Sequence, residues 1–199
     1  MLKTELPLVF ASHNADKVME IREILGNSLE LEGLADIGCR DDIPEPHHTL
    51  EENAMAKARY VYRHFGRDCF ADDTGLEVKA LNGQPGVMSA RYAGPGKDSK
   101  ANIHKLLKAL SGQSDRRARF RTAIALIIGG REFLFEGIVN GEIAEKPGGH
   151  EGFGYDPVFI PEGYSVTFGE MDAAEKNRIS HRWAAIEKLV GYLRENRKS

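Results

Sequence analysis

Apolar and polar positions alternate with two different periods along this chain. Leu6-Pro7-Leu8-Val9-Phe10-Ala11 is a short apolar run, which predicts a buried first strand with Pro7 near its start. After the polar Ser12-His13-Asn14, the apolar Val18, Ile21, Ile24 and Leu25 recur at helical spacing within Lys17 to Leu25. A second helix is predicted over Thr49 to Phe65, with Thr49 as N-cap and Glu52 three residues on, as in a capping box. Phe70-Ala71 ends a short strand and Leu76 to Leu81 alternates as a second, so Asp72-Asp73-Thr74-Gly75 between them reads as an acidic turn. Asn82 to Gly86 is a turn cluster, and Lys100 to Leu110 is a third helix. Two strands, Arg117 to Ile128 and Glu132 to Glu142, flank Gly129-Gly130 and predict a hairpin. A glycine-rich stretch from Gly148 to Gly154 precedes a strand over Pro157 to Ile160, and a last helix runs from Ser180 to Asn196. Strands alternate with helices early and an antiparallel hairpin comes late. That order predicts an α/β fold with a mixed central sheet and flanking helices.

Bulk properties narrow the function classes. A length of 199 residues suits one domain spanning residues 1–199. Lys and Arg total 27 against 30 for Asp and Glu, a formal charge of −3, which argues against a nucleic-acid partner. The two cysteines, Cys39 and Cys69, have no paired spacing, so neither a disulfide framework nor a structural zinc site is expected. Met1 to Pro7 lacks the apolar core of a signal peptide, and no run approaches the roughly 20 apolar residues that span a bilayer. A cytoplasmic protein with no membrane partner is expected.

Six segments could carry chemistry. In the acidic turn, successive strand residues point to opposite faces, so one of Asp72 and Asp73 can face a ligand while the other braces it. Carboxylates at a sheet edge suit a hard cation such as Mg²⁺, which also takes phosphate oxygens. The same aspartates could instead cap backbone N–H groups of a turn. Ser12-His13-Asn14-Ala15-Asp16-Lys17 offers a hydroxyl, an amide and an ammonium at a strand-to-helix junction, fit either to cradle phosphates or simply to cap the helix. It is no P-loop, because the Gly-rich run and the GK[ST] triplet are absent. Asn53 and Lys57 share one helix face, and Glu45 lies in a proline-stiffened loop. Gly152-Phe153-Gly154-Tyr155-Asp156-Pro157 could expose the Phe153 ring to a base or pack it on the core. Lys176 to Arg182 places cations beside a Ser N-cap, and an arginine there can read an acceptor edge of a purine. Neither cysteine has a nucleophile motif and no Gly-x-Ser-x-Gly elbow occurs, so nothing supports covalent catalysis.

Taken in order, these blocks resemble the inosine triphosphate pyrophosphatase family, which removes deaminated purine nucleotides such as dITP and XTP. The matching blocks are Ser12-His13-Asn14 with Lys17, Thr49 to Ala58, Ala71 to Leu76, Gly83 to Tyr92, Gly152 to Pro157, and Thr167 to Met171 with Glu175-Lys176 and Ser180-His181-Arg182. The resemblance implies two lobes around a deep nucleotide cleft, a homodimer, and hydrolysis of a purine nucleoside triphosphate between its α- and β-phosphates. By position it implies that Ser12, His13, Asn14, Ala15, Asp16 and Lys17 hold phosphates, with Lys57 reaching them from the second helix. Asp73 would bind Mg²⁺ and act as base for the attacking water, Glu45 would be a second metal ligand, and Asp72 would support the metal. Thr74 would contact the nucleotide. Phe153 would stack on the base, with Gly154, Tyr155 and Asp156 shaping the pocket and Lys176, His181 and Arg182 completing it. Arg182 is assigned to the purine 6-oxo group. The chain departs from the family pattern at His13 (commonly Gly), Thr74 (Ser), Leu50 (Phe) and Trp183 (Gly). Two other functions compete: a pyrophosphatase for pyrimidine or modified nucleotides, and a nucleotide-binding regulator without catalysis.

Overall fold

The computed structural model describes residues 7–196, so the reading of Met1 to Leu6 lies outside the described residues. Strand β1 (Leu8–Phe10) is followed by helix α1 (Ala15–Leu25), β2 (Leu31–Gly33) and α2 (Leu50–Phe65). Then come β3 (Cys69–Val78), β4 (Pro85–Gly86), α3 (Ser99–Ala109), β5 (Arg117–Ile128), β6 (Arg131–Ile143), β7 (Phe159–Pro161), α4 (Ala173–Ile179) and α5 (His181–Glu195). A seven-stranded sheet has the order β2-β1-β3-β5-β6-β7, with β4 paired to β3. β1 is parallel to β2 and β3, whereas β3–β4 and β6–β7 are antiparallel, so the expected mixed α/β sheet is present.

The helix ends follow from their caps. Asn14 Oδ1 accepts the backbone N–H of Lys17, which starts α1 two residues before the periodic stretch that predicts it. Thr49 caps α2 by accepting from the Glu52 backbone N–H, and its hydroxyl donates to the Glu52 carboxylate. Gly66 in the left-handed region ends that helix. Gly129 and Gly130 both have positive φ, as a two-residue link between β5 and β6 requires. Among the described residues no helix is long and apolar enough to cross a membrane.

One prediction is corrected. Asp72-Asp73-Thr74-Gly75 is no turn: β3 runs unbroken from Cys69 to Val78 and the acidic pair lies in its interior. Polar residues in a strand look like a break when their partners are distant in sequence, and both aspartates here meet cations from other elements. Gly75 also has a steric reason, because a Cβ there would lie 2.6 Å from the Gly86 carbonyl oxygen across the β3–β4 pair. The short β2 and α4 had no counterpart in the sequence pattern. The final helix is α5, starting at His181 after the separate α4.

The described residues gather into two compact units, the first made of residues 7–73, 122–137 and 182–196 and the second of residues 74–121 and 138–181. In unit 1, Ile21 and Leu25 of α1 and Ile186, Leu189 and Leu193 of α5 are buried with Phe10, Phe70, Ile124 and Leu126 of the strands. Phe10 and Phe70 stack with ring centroids 4.9 Å apart across the parallel β1–β3 pair. In unit 2, Leu76 and Val78 of β3 and Ile103 and Leu106 of α3 are buried with Phe120, Phe159 and Phe168. Each unit thus has its own apolar core.

Candidate functional site

Strand geometry divides the two aspartates. With a side-chain period of two, Phe70 and Asp72 share one face of β3 while Cys69, Ala71 and Asp73 share the other. The contacts within unit 1 follow that division. On the first face, Asp72 is fully buried, with Lys17 Nζ of α1 3.0 Å from its carboxylate and Arg182 Nε of α5 3.3 Å away. Arg182 is itself 1% exposed and its Nη1 also donates to Glu20 of α1. Burial acts against the Asp72 carboxylate, but Lys17 and Arg182 outweigh it and hold it well below the usual carboxylate range. Burial lowers the Lys17 ammonium, Asp72 only partly offsetting it.

On the second face, α2 supplies the partners. Cys69 Sγ donates to the Ala58 carbonyl, Asn53 Nδ2 donates to Asp73 Oδ2 at 3.2 Å, and Lys57 Nζ lies 3.8 Å from Asp73 Oδ1. The same Lys57 ammonium meets Glu45 Oε1 at 2.5 Å. Burial raises the Asp73 pKa and prevails over the nearby Lys57 and Lys17, which makes this carboxylate a better proton acceptor. For Lys57 burial works downward, but Asp73 and Glu45 prevail and its ammonium is held above the ordinary value.

The geometry bears on the metal. Among the described residues no group of three or more His, Cys, Asp or Glu side chains could hold a metal ion. Glu45 and Asp73 do converge on one cation, the Lys57 ammonium. Two carboxylates suit a Mg²⁺ that keeps several waters and takes phosphate oxygens for the rest of its shell. Asp72 faces the other side of β3 and is committed to Lys17 and Arg182. Of the two carboxylates, Glu45 is the one that shares the Lys57 ammonium with Asp73 in ion pairs of 2.5 and 3.8 Å.

At the start of α1, the predicted phosphate segment forms a cap. Asn14 Oδ1 serves Lys17 N, Ser12 Oγ accepts from Asn14 N at 3.2 Å, and His13 Nε2 lies 2.9 Å from the Asp41 carbonyl. His13, Asn14, Ala15 and Asp16 are exposed, so the first turn of the helix is open to an anion.

The remaining predicted residues belong to unit 2. Gly152 and Gly154 both have positive φ, which L side chains rarely adopt, and a Cβ at Gly152 would overlap the Asp156 carboxylate. Asp156 Oδ2 accepts from the Phe153 backbone N–H at 2.8 Å and from Lys176 Nζ at 2.7 Å. Lys176 Nζ also lies 5.0 Å from the half-buried Phe153 ring centroid. One carboxylate thus fixes both the Phe153 loop and Lys176. Tyr155 donates its hydroxyl to the Ser89 carbonyl, and His181 stacks on Phe120 with centroids 4.6 Å apart. Thr74 is half-buried in β3.

Sequence inspection missed Glu20, and it read Asn53 with Lys57 as a phosphate-holding or merely solvated pair, not as a donor to Asp73. A signal for Glu20 existed: it stands beside Ile21 on a helix whose apolar face is buried, yet is 6% exposed. A carboxylate at such a position needs a buried cation. Arg182, expected at the base, has two of its nitrogens on the Glu20 and Asp72 carboxylates of unit 1.

The chain belongs to the Ham1 family, whose model matches residues 8–192. It is 53% identical over 188 residues to the dITP/XTP pyrophosphatase of Christiangramia forsetii, covering 94% of this chain and 99% of that protein. The dITP/XTP pyrophosphatase of Bacillus subtilis is 48% identical over 189 residues, 93% of this chain and 96% of that protein. Among solved structures, a HAM1 protein from Coxiella burnetii superposes with a TM-score of 0.87 at 41% identity, covering 96% of this chain and 99% of that one. The Ham1 protein of Staphylococcus aureus gives 0.86 at 38% identity, covering 95% and 98%. The resemblance drawn from the ordered motifs is borne out.

Proposed function

We propose that this protein hydrolyses non-standard purine nucleoside triphosphates, dITP and XTP with their ribo- and deoxyribo- counterparts, to the monophosphate and pyrophosphate. Its near-full-length likeness to dITP/XTP pyrophosphatases carries the proposal. The charge pattern in unit 1 supports it. A triphosphate bears about four negative charges, and in-line displacement at phosphorus needs mainly positioning and charge stabilisation. The open first turn of α1 (Ser12 to Asp16), Lys17 and Lys57 are proposed to take the phosphates. Mg²⁺, held by Asp73 and Glu45, would neutralise charge on the triphosphate and supply the chemistry of a hard Lewis acid.

Asp73 is proposed as the general base. It takes a proton from the attacking water as the water oxygen bonds to the α-phosphorus and the α–β bridging bond breaks. Asn53 orients that carboxylate through its amide. Asp72 braces Lys17 and is not assigned to the metal. For the base, Phe153 is proposed to stack, on a loop shaped by Gly154, Tyr155 and Asp156, with Thr74 contacting the nucleotide. Lys176, His181 and Arg182 are proposed to meet the 6-oxo group shared by hypoxanthine and xanthine. An adenine amino group would leave such donors facing another donor, a costly mismatch. A homodimer and a cytoplasmic location belong to the same proposal.

Product analysis tests the cleavage position. With Mg²⁺ and dITP, anion-exchange chromatography is expected to show dIMP and pyrophosphate in equal amounts. Appearance of dIDP with orthophosphate would overturn it.

A further inference from the structure

Lys57 is asked to do two things. The proposed function has it grip a phosphate, yet its ammonium stands where Glu45 and Asp73, the two proposed metal ligands, converge. Its side chain is 8% exposed, against 13% for Asp73 and 23% for Glu45, so this cluster is largely out of water. Carboxylates that share such a place repel each other unless a cation lies between them. A divalent ion entering there meets an ammonium already bonded to its ligands, and the mutual repulsion of two cations is large in a partly dry site.

We propose that Lys57 is the resident counter-ion of the Glu45–Asp73 pair, so that divalent metal is taken up together with the triphosphate and not ahead of it. The inference rests on the metal roles proposed for Glu45 and Asp73. Phosphate oxygens give the ammonium a new partner as the metal takes its old ones, and the four-carbon lysine stem lets Nζ move while α2 stays in place. Metal alone would leave three cationic charges against two carboxylates. The triphosphate removes that excess. When the products leave, Lys57 returns to Glu45 and Asp73, and the acidic pair is never left facing itself.

The test measures metal affinity without nucleotide, by calorimetric titration with Mg²⁺ and by Mn²⁺ electron paramagnetic resonance. Lys57→Gln and Lys57→Met are expected to bind the ion at least tenfold more tightly than wild type, whereas Lys57→Arg, which keeps the cation, stays weak. Adding Asp73→Asn to Lys57→Gln is expected to abolish the gain, which locates the ion. Equal or weaker affinity in the folded neutral variants would overturn the proposal. A wild-type measurement stands independently of any variant's folding. The ¹⁵N-labelled Lys57 ammonium resonance is expected to hold its position in Mg²⁺ alone and to shift when Mg²⁺ is joined by an α,β-methylene triphosphate. A shift of the same size with Mg²⁺ alone would overturn the inference. Pyrophosphate release from XTP is assayed in parallel. Its absence, with the affinity change present, would fail the functional proposal only; its presence without that change would fail the Lys57 inference only.

Discussion

Asp73→Asn is expected to lower turnover of XTP by about 10³-fold or more while leaving the fold intact. Loss of a general base alone costs roughly 10²–10⁴-fold, and here the same substitution weakens a proposed metal ligand. The structural cost is small for three reasons. Asn keeps an oxygen that can accept from Asn53 Nδ2. Lys57 keeps Glu45. The charge being removed is one that burial already disfavours, as the raised pKa of Asp73 indicates. Steady-state pyrophosphate release with a thermal melt on the same preparation checks both halves. Near-normal turnover would remove Asp73 from the chemistry, and a collapsed melt would make it structural.

A second large effect is expected at Arg182, and it is an effect on stability. Arg182→Met keeps length and apolar stem but leaves Asp72 and Glu20 without the guanidinium that joins them. Breaking a buried ion pair from one side costs about 3–5 kcal/mol. For a chain of this size that corresponds to a melting temperature lower by roughly 6–20 °C, at about 2–4 °C per kcal/mol. The effect has a pH signature. In the wild-type protein Lys17 and Arg182 depress the Asp72 pKa, so Asp72 contributes stability above its unfolded pKa and loses it as pH falls through the folded value. Without Arg182 part of the cationic support is gone while Lys17 remains, and the folded pKa rises toward the unfolded value. The Asp72 contribution to wild-type stability is present above the unfolded pKa and lost progressively below it, so the difference in melting temperature should narrow as the pH falls below about 4. A difference that stayed constant with pH would mean that lost packing, and not an uncompensated carboxylate, causes the destabilisation.

Much of this was legible from the residues. The periodic apolar stretches located α1, α2, α3 and the β5–β6 pair within a few residues, because each has a local cause: a cap, a glycine pair or an amphipathic face. The nature of β3 was not legible. Asp72 to Gly75 imitates a turn, and cations distant in sequence, Lys17 and Arg182, 55 and 110 residues away from Asp72, help make a buried carboxylate tolerable there. Strand alternation did forecast that the two aspartates would separate. Which of them meets which cation depends on the helix that covers each face, and a single sequence does not reveal that. Arg182 illustrates the same gap. Its motif points to a base, and that reading did not foresee that Glu20 and Asp72 also hold two of its nitrogens. Glycines were better guides, since Gly75, Gly152 and Gly154 each stand where a side chain would clash or strain the backbone.

Substrate selectivity tests the central proposal most directly. With Mg²⁺ at neutral pH, kcat/KM for XTP and ITP is expected to exceed that for ATP by at least about 10²-fold, since a site built to hydrogen-bond one group can reject a mismatched one by as much as about 10⁴–10⁵. Comparable kcat/KM for XTP, ITP and ATP would contradict it.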